Sequence, residues 1–474
     1  IDGAGIFLNS HNIERSEIPL GGGDHVTIAH EIMHNLGMTH PFDGYANFPD
    51  VTTAYDLGKL NSNQNIFTVT SYNDTGTKLE NSLDINPEDP EQWLEFGMSN
   101  IGVVDQAFLQ ILYGANENTN NGNTEFKFNI DDRSQNWETI WDASGVDTII
   151  FNGEQNYSVN IDLRAPTLNL TDPEQTLSGI CTVTDPNTWG GFAIGHNVNI
   201  ENAKSGNGND TLTGNDLNNV LNSLGGNNIF NPNLGDNLIK SGNGNDTIYL
   251  KSAELWDNKF VAVHTITNET STYESINLQG YNKFSDHIFS GEGQDKVYLT
   301  ANDDAFFLDD HYSASNSSTY QESYNLGLAF GVLPRLINCE EIYGLAGSDL
   351  LDFTSAKITA SKLLLNGGDG DDILWAGAKN DVLIGGQGND ELNGGPGDDE
   401  ITGGAGIDHF KFAGTFGNDQ ISDWEINHDK ISLYNIKQNE ITFNQNVLLY
   451  GENNSITFTD LSSEEVLSIS IEFI

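Results

Sequence analysis

The chain has 474 residues, and its 69 Asp and Glu against 19 Lys and Arg leave a formal charge of −50. That length accommodates two or three domains, and that charge excludes nucleic acid and anionic membranes as partners while demanding counter-ions for compaction. No apolar run approaches the roughly 18 residues of a membrane span, and the two cysteines, Cys181 and Cys339, sit in no CxxC pattern, leaving one disulfide or two free thiols open.

The chain opens with a short predicted strand over 5–10, followed by the flexible run Gly21-Gly22-Gly23 and by Asp24 as a helix N-cap. Val26, Ala29, Met33 and Leu36 then recur at three-to-four spacing, the apolar stripe of a helix. On that helix lie His30, Glu31, His34, Gly37 and His40, spelling H-E-x-x-H-x-x-G-x-x-H without a gap. Residues four apart share one helix face, so His30 and His34 present two imidazoles together, with Glu31 beside them as general base for a metal-bound water. Gly37 lets the chain turn back and deliver His40 as a third nitrogen ligand, and three imidazoles with one open position describe a catalytic zinc site. A surface helix with satisfied histidines does not account for the register of the glycine and the third histidine.

This motif, followed by Pro41, resembles the metzincin clan and specifically the serralysins. In that family a methionine turn lies beneath the zinc, and its tyrosine is a displaceable ligand that stabilises the tetrahedral intermediate. The matching stretch is Thr68-Val69-Thr70-Ser71-Tyr72, so the resemblance assigns that role to Tyr72, whereas Thr70 stands where the clan has methionine. A second helix is predicted over 100–113, with Ile101, Val104, Phe108 and Ile111 on one side and Gly114 past its end. It resembles the helix that closes a serralysin protease domain, which puts the domain boundary near residue 115. A zincin domain needs strands and a helix ahead of the zinc helix, so the first half of the catalytic domain is expected to be absent. The chain reads as a partial one, with a proteolytic product as second choice.

Residues 116–204 read as a β linker, and Trp141-Asp142-Ala143-Ser144-Gly145-Val146-Asp147-Thr148 and Ile200-Glu201-Asn202-Ala203 resemble the serralysin stretch that joins protease to β-roll. A nine-residue period then starts. Over 205–249 its sixth positions are Asp210, Asn219, Asn228, Asn237 and Asp246, and its eighth positions are apolar. Asparagine offers an oxygen without the charge, so this block is expected to hold little calcium, with Asp210 and Asp246 as its carboxylate ligands. Residues 250–343 are a β-rich insertion with fragments of the pattern, such as 290–295. A further fragment opens the second block, 344–411, whose five tandem units put Asp372, Asp381, Asp390, Asp399 and Asp408 at the sixth position and Leu374, Leu383, Leu392, Ile401 and Phe410 at the eighth.

Glycines permit a tight turn that exposes carbonyls, the aspartate closes a calcium site, and the eighth residue fills a thin core. Two nonapeptides complete one turn of such a roll, so Asp372, Asp390 and Asp408 fall on one side and Asp381 and Asp399 on the other. Lys379 replaces the fourth-position glycine of its unit, and a distorted turn is expected there. The pattern resembles the RTX parallel β-roll. Residues 412–474 resemble the closing strands of serralysins, ending in Glu472-Phe473-Ile474 like an uncleaved type I export signal.

The expected fold class is thus an α+β zincin remnant over 1–115, followed by an all-β, right-handed parallel β-roll with flanking strands. The resemblance implies an extracellular, secreted zinc endopeptidase acting on protein or peptide substrates, exported by type I secretion machinery and folded by external calcium. His30, His34, His40 and Tyr72 would bind zinc, and Glu31 and Tyr72 would be catalytic. The competing reading is a secreted calcium-binding structural or surface protein with an inactive protease remnant. An RTX-bearing polysaccharide enzyme would leave the zinc motif unexplained.

Overall fold

The structure is a computed structural model that describes residues 30, 32, 33, 36, 38, 101–129, 137–152, 156–167, 179–184, 190–256, 261–265, 273–307, 335–354 and 360–474. The predicted strand over 5–10 and Glu31, His34, Gly37, His40, Thr70 and Tyr72 lie outside the described residues. The chain divides into two compact units, Ile1–Gly226 and Asn227–Ile474.

In the first unit, His30, Ile32 and Met33 are helical, and the Leu36 amide donates to the Ile32 carbonyl at 3.0 Å. The Met38 amide donates to the Met33 carbonyl at 3.1 Å, the six-to-one closure that ends many helices. Met33 is buried with Val103, Trp137 and Ala193, and Leu36 and Met38 pack against that cluster. The second helix runs Val103–Tyr113, its start tied by the Gly102 amide donating to the Asp105 carboxylate at 2.9 Å. Gly114 ends it at a φ of 84°, a value that a side chain resists. Its inner face is Val103, Asp105 and Ala107, whereas Ile111 is 80% exposed. Of the predicted stripe, Ile101, Val104 and Phe108 pack against the Met33 cluster, and Ile111 faces outward.

Beyond this helix the unit is β. Glu125–Phe128, Thr148–Phe151, Asn202–Lys204 and Val220–Asn222 pair in parallel in that order. A second sheet orders Trp137–Ile140, Gly191–Ile194, Ile180–Val183, Val159–Asp162 and Thr211–Thr213, with Ile180–Val183 antiparallel to both neighbours.

The second unit is a stack of parallel rungs. On one ladder Glu341–Ala346, Leu364–Asp369, Val382–Gln387, Glu400–Ala405 and Asn418–Ile421 pair in succession. On the other, Leu350–Asp352, Ile373–Trp375, Glu391–Asn393, His409–Ala413 and Lys430–Tyr434 do the same. The eighth-position residues Leu374, Leu383, Leu392, Ile401 and Phe410 are buried between the ladders, as the apolar beat requires.

The stretch between the repeat blocks adds rungs of its own. Lys296–Tyr298 pairs with Thr247–Leu250 on one side and Glu341–Ala346 on the other, and Asp304–Phe307 pairs with Leu350–Asp352. A separate antiparallel hairpin joins Val261–Thr265 to Tyr273–Asn277.

Lys379 does not break the register: Val382, Leu383 and Ile384 pair with Glu400, Ile401 and Thr402. The fourth-position glycines Gly370, Gly388 and Gly406 have φ of 139°, 137° and 154°, but Lys379 and its partner one turn on, Gly397, have no positive φ. Lys379 thus sits at a turn position outside the left-handed region, although a Cβ built on Gly397 would lie 1.8 Å from the Lys379 carbonyl. Among the described residues no helix is long and apolar enough to cross a membrane.

Candidate metal centres

Each sixth-position residue sits where a turn re-enters a strand, so its amide faces the carboxylate of the equivalent residue one turn on. The Asp372 amide donates to Asp390 Oδ1 at 2.9 Å, Asp390 to Asp408 Oδ1 at 2.9 Å, and Asp408 to Asp429 Oδ1 at 3.1 Å. On the other side the Asp381 amide donates to Asp399 Oδ1 at 2.8 Å and Asp399 to Asp419 Oδ1 at 2.9 Å. The structure therefore brings the five tandem aspartates into two columns, and continues both past residue 411 through Asp419 and Asp429.

The second oxygens carry the chemistry. Oδ2 of Asp372, Asp390 and Asp399 is buried without a hydrogen-bond partner. Burial pushes these carboxyls up to about 7, 7 and 8, against backbone amides that hold them down. A buried carboxylate oxygen with no donor is costly unless a cation meets it.

The surrounding backbone leaves space of that kind. A Cβ built on Gly385 would lie 2.2 Å from Asp390 Oδ2 and 2.4 Å from the Gly403 carbonyl, and at Gly394 and Gly403 it would lie 2.2 Å from Asp399 Oδ2 and Asp408 Oδ2. Carboxylate and carbonyl oxygens converging on a glycine-lined pocket fit a hard divalent cation such as calcium. Among the described residues no group of three or more His, Cys, Asp or Glu side chains converges, so carbonyls must complete each set.

Asp381 differs from its neighbours. The first position of its unit is Ala376 in place of glycine, and Asp381 Oδ2 accepts the Gly377 amide at 3.3 Å. Its carboxyl is raised by burial but lowered by the charges of Lys362 and Lys379.

The earlier block is satisfied by protein donors to a greater degree. In the first unit the Val159 amide donates to Asp210 Oδ1 at 2.9 Å, and burial raises this carboxyl to about 6 against the hydroxyls of Ser205 and Ser223. Asn219 donates its side-chain amide to the Glu201 carbonyl at 2.9 Å. In the second unit Asn228 donates its own to the Ser241 carbonyl at 3.1 Å, and Asn237 donates to Asp286 Oδ1 at 2.8 Å. An asparagine NH2 thus supplies the positive end that a cation supplies elsewhere. Asp246 retains a buried Oδ2 with no partner, while its Oδ1 accepts the Asn228 amide at 2.8 Å.

A further acidic group in the first unit is absent from the periodic pattern. Asp147 Oδ1 accepts the Thr124 amide at 2.7 Å, and the Asp147 amide donates to Glu201 Oε2 at 2.7 Å. Both oxygens of Asp142 and Oδ2 of Asp147 are buried without partners, and burial with the charge of Asp147 raises Asp142 to about 6. The sequence signal for it is the pair Asp142 and Asp147 within 141–148.

Of the three histidines and the glutamate in the H-E-x-x-H-x-x-G-x-x-H stretch, His30 is described, buried at 8% exposure on the same helical turn as Met33. Cys181 and Cys339 are free thiols, and burial pushes both above the usual thiol range.

These columns and the parallel ladders define an RTX-type β-roll, and comparison with known proteins agrees. Residues 364–383 and 375–410 match the RTX calcium-binding nonapeptide repeat, and residues 108–306 match the C-terminal region of the peptidase M10 serralysins. The chain therefore carries a serralysin-type C-terminal region followed by RTX calcium-binding repeats. Metallopeptidase AprA of Pseudomonas marginalis is 28% identical over 46% of this chain and 43% of its own length. Serralysin of Proteus mirabilis is 30% identical over 47% of this chain and 41% of its own. The chain spans about two fifths of the length of these relatives. A solved structure, extracellular lipase LipA of Serratia marcescens, aligns at 16% identity over 69% of this chain and 45% of that chain with a TM-score of 0.17, which carries no structural argument.

Proposed function

We propose that the chain belongs to a secreted, serralysin-type zinc endopeptidase whose β-roll is stabilised by calcium. The observation that carries the calcium half is the set of buried, partnerless Oδ2 atoms beside glycine cradles. The protease half rests on the ungapped motif from His30 to His40 and on relatives whose names denote metallopeptidases.

His30, His34 and His40 are a donor set suited to zinc, which when bound supplies Lewis acidity to water and to a peptide carbonyl. Glu31 is not a ligand. Its carboxylate takes a proton from the attacking water and passes it to the departing amine, and the Tyr72 hydroxyl donates a hydrogen bond to the developing negative charge. Unstructured protein segments are the expected substrates, and export by a type I system with folding in external calcium accounts for the acidic composition.

The second reading is a secreted calcium-binding structural protein with an inactive protease remnant, favoured by Thr70 at the position of the clan's methionine. The two separate on Glu31→Ala made in the complete open reading frame. We expect one zinc retained and casein cleavage at neutral pH reduced on the order of 10²- to 10⁴-fold. Equal activity in the variant removes the mechanism, and neither zinc nor cleavage in the parent protein favours the structural reading.

A further inference from the structure

The strands Glu391–Asn393 and His409–Ala413 are neighbouring parallel rungs of the roll, with Glu391 opposite His409 and Leu392 opposite Phe410. Leu392 and Phe410 are buried in the core, so the residues that follow them, Asn393 and Lys411, both emerge on the outer face. Both are nevertheless buried, Lys411 at 4% exposure and Asn393 at 6%. Trp375, one rung earlier and opposite Asn393, is fully buried in a cluster with Ala305, Phe307 and Leu350 that keeps water from this part of the face.

Three reactive groups meet in this dry place. Lys411 Nζ lies 2.7 Å from Glu391 Oε2, so the lysine reaches across to the strand that carries both Glu391 and Asn393. Residues two apart on a strand share a face, which puts the Asn393 carboxamide next to that contact. Trp375 Nε1 donates to Glu391 Oε1 at 3.2 Å and orients the carboxylate. The Gly395 amide donates to Asn393 Oδ1 at 2.9 Å, which draws electrons from the side-chain carbonyl carbon.

We propose that Lys411 and Asn393 condense into an isopeptide bond, a covalent staple between successive turns of the roll. Glu391 takes a proton from Lys411 and leaves an uncharged amine. Nζ adds to Cγ of Asn393, and the Gly395 amide stabilises the negative charge that gathers on Oδ1. Glu391 passes its proton to Nδ2, the Cγ–Nδ2 bond breaks, and ammonia departs. A second proton moves from Nζ to Glu391, leaving one hydrogen on the new amide. Nothing is oxidised or reduced, and the fold supplies the reaction by holding amine, carboxamide and carboxylate together.

The test is peptide mass spectrometry of the full chain, folded with calcium, then denatured and cleaved before aspartate. That cleavage releases residues 390–397 and 408–418 as separate peptides from an unlinked chain. We expect the parent to yield one branched peptide joining the two, lighter than their sum by one ammonia, and Lys411→Arg and Glu391→Gln to yield separate peptides. Asn393 precedes Gly394, and ring closure on the Gly394 nitrogen also expels ammonia, but it leaves the two peptides apart. Separate peptides from the parent, with Asn393 intact or closed on Gly394, overturn the bond. A branched peptide from Glu391→Gln overturns the role of Glu391 as proton carrier.

Discussion

Asp381 and Asp390 occupy the same place in successive repeats, yet the atoms around their second oxygens differ. At Asp390 the cradle is the bare Cα of Gly385; at Asp381 the first position is Ala376, and the Gly377 amide already donates to Oδ2. Two lysine charges also lower the Asp381 carboxyl. Calcium affinity tracks ligand charge and access, so Asp390→Asn should weaken binding at its site by at least roughly tenfold, about 1.4 kcal/mol, whereas Asp381→Asn changes the titration little. Equal losses in calorimetry of the two variants would remove this distinction. The identity of both residues was legible from the nine-residue spacing. Which of them has a partnerless oxygen was not, because that depends on a single methyl at the first position and on an amide brought round by the turn. Asp419 and Asp429 escaped for another reason: they follow their column neighbours by 20 and 21 residues, outside a strict period.

At the level of elements, the two repeat blocks use different donors for the same job. Asn219, Asn228 and Asn237 satisfy neighbouring carbonyls and carboxylates with their own NH2 groups, whereas the later block leaves Oδ2 of Asp372, Asp390 and Asp399 without a donor. Adding calcium should therefore slow amide hydrogen exchange strongly in rungs 364–421 and weakly in rungs 202–222. A comparable gain in both stretches, read by mass spectrometry, would refute the division. The parallel rungs were readable from the sequence because an apolar residue every nine positions fits a stacked turn. The second helix was legible in part: its periodicity puts Ile101, Val104, Phe108 and Ile111 on one side, and the first three pack on the core whereas Ile111 is 80% exposed. Helical spacing gives a face, and packing against Met33 and Trp137 selects which part of that face is covered.

For the molecule as a whole, the buried aspartates link stability to pH and metal together. In the metal-free protein burial raises Asp372 and Asp390 to about 7, Asp399 to about 8, and Asp349 and Asp419 to about 9. All lie above the ordinary value of 3.8, so the folded state binds more protons than the unfolded state between that pH and these raised values. Stability of the metal-free roll is thus full below about pH 4 and is lost as pH rises through 7 to 9. Saturating calcium, by replacing the protons, should flatten this slope. Thermal unfolding from pH 5 to 9 with and without a chelator checks it: a chelated protein whose melting temperature rises over that range contradicts the assignment.

Unequal spacing between rungs has a consequence for how the second unit assembles. Successive rungs lie 18 residues apart through the tandem repeats but 45 and 49 apart at Asp304 to Asp349 and Asp246 to Asp295. Closing a 49-residue loop costs about 0.9 kcal/mol more chain entropy than closing one of 18, from the logarithmic dependence on loop length. Each long excursion is therefore a late event on the folding route. Rungs joined by short loops, at Asn228 to Asp246 as at Asp372 to Asp390, therefore close first, and the long excursions join edges already formed.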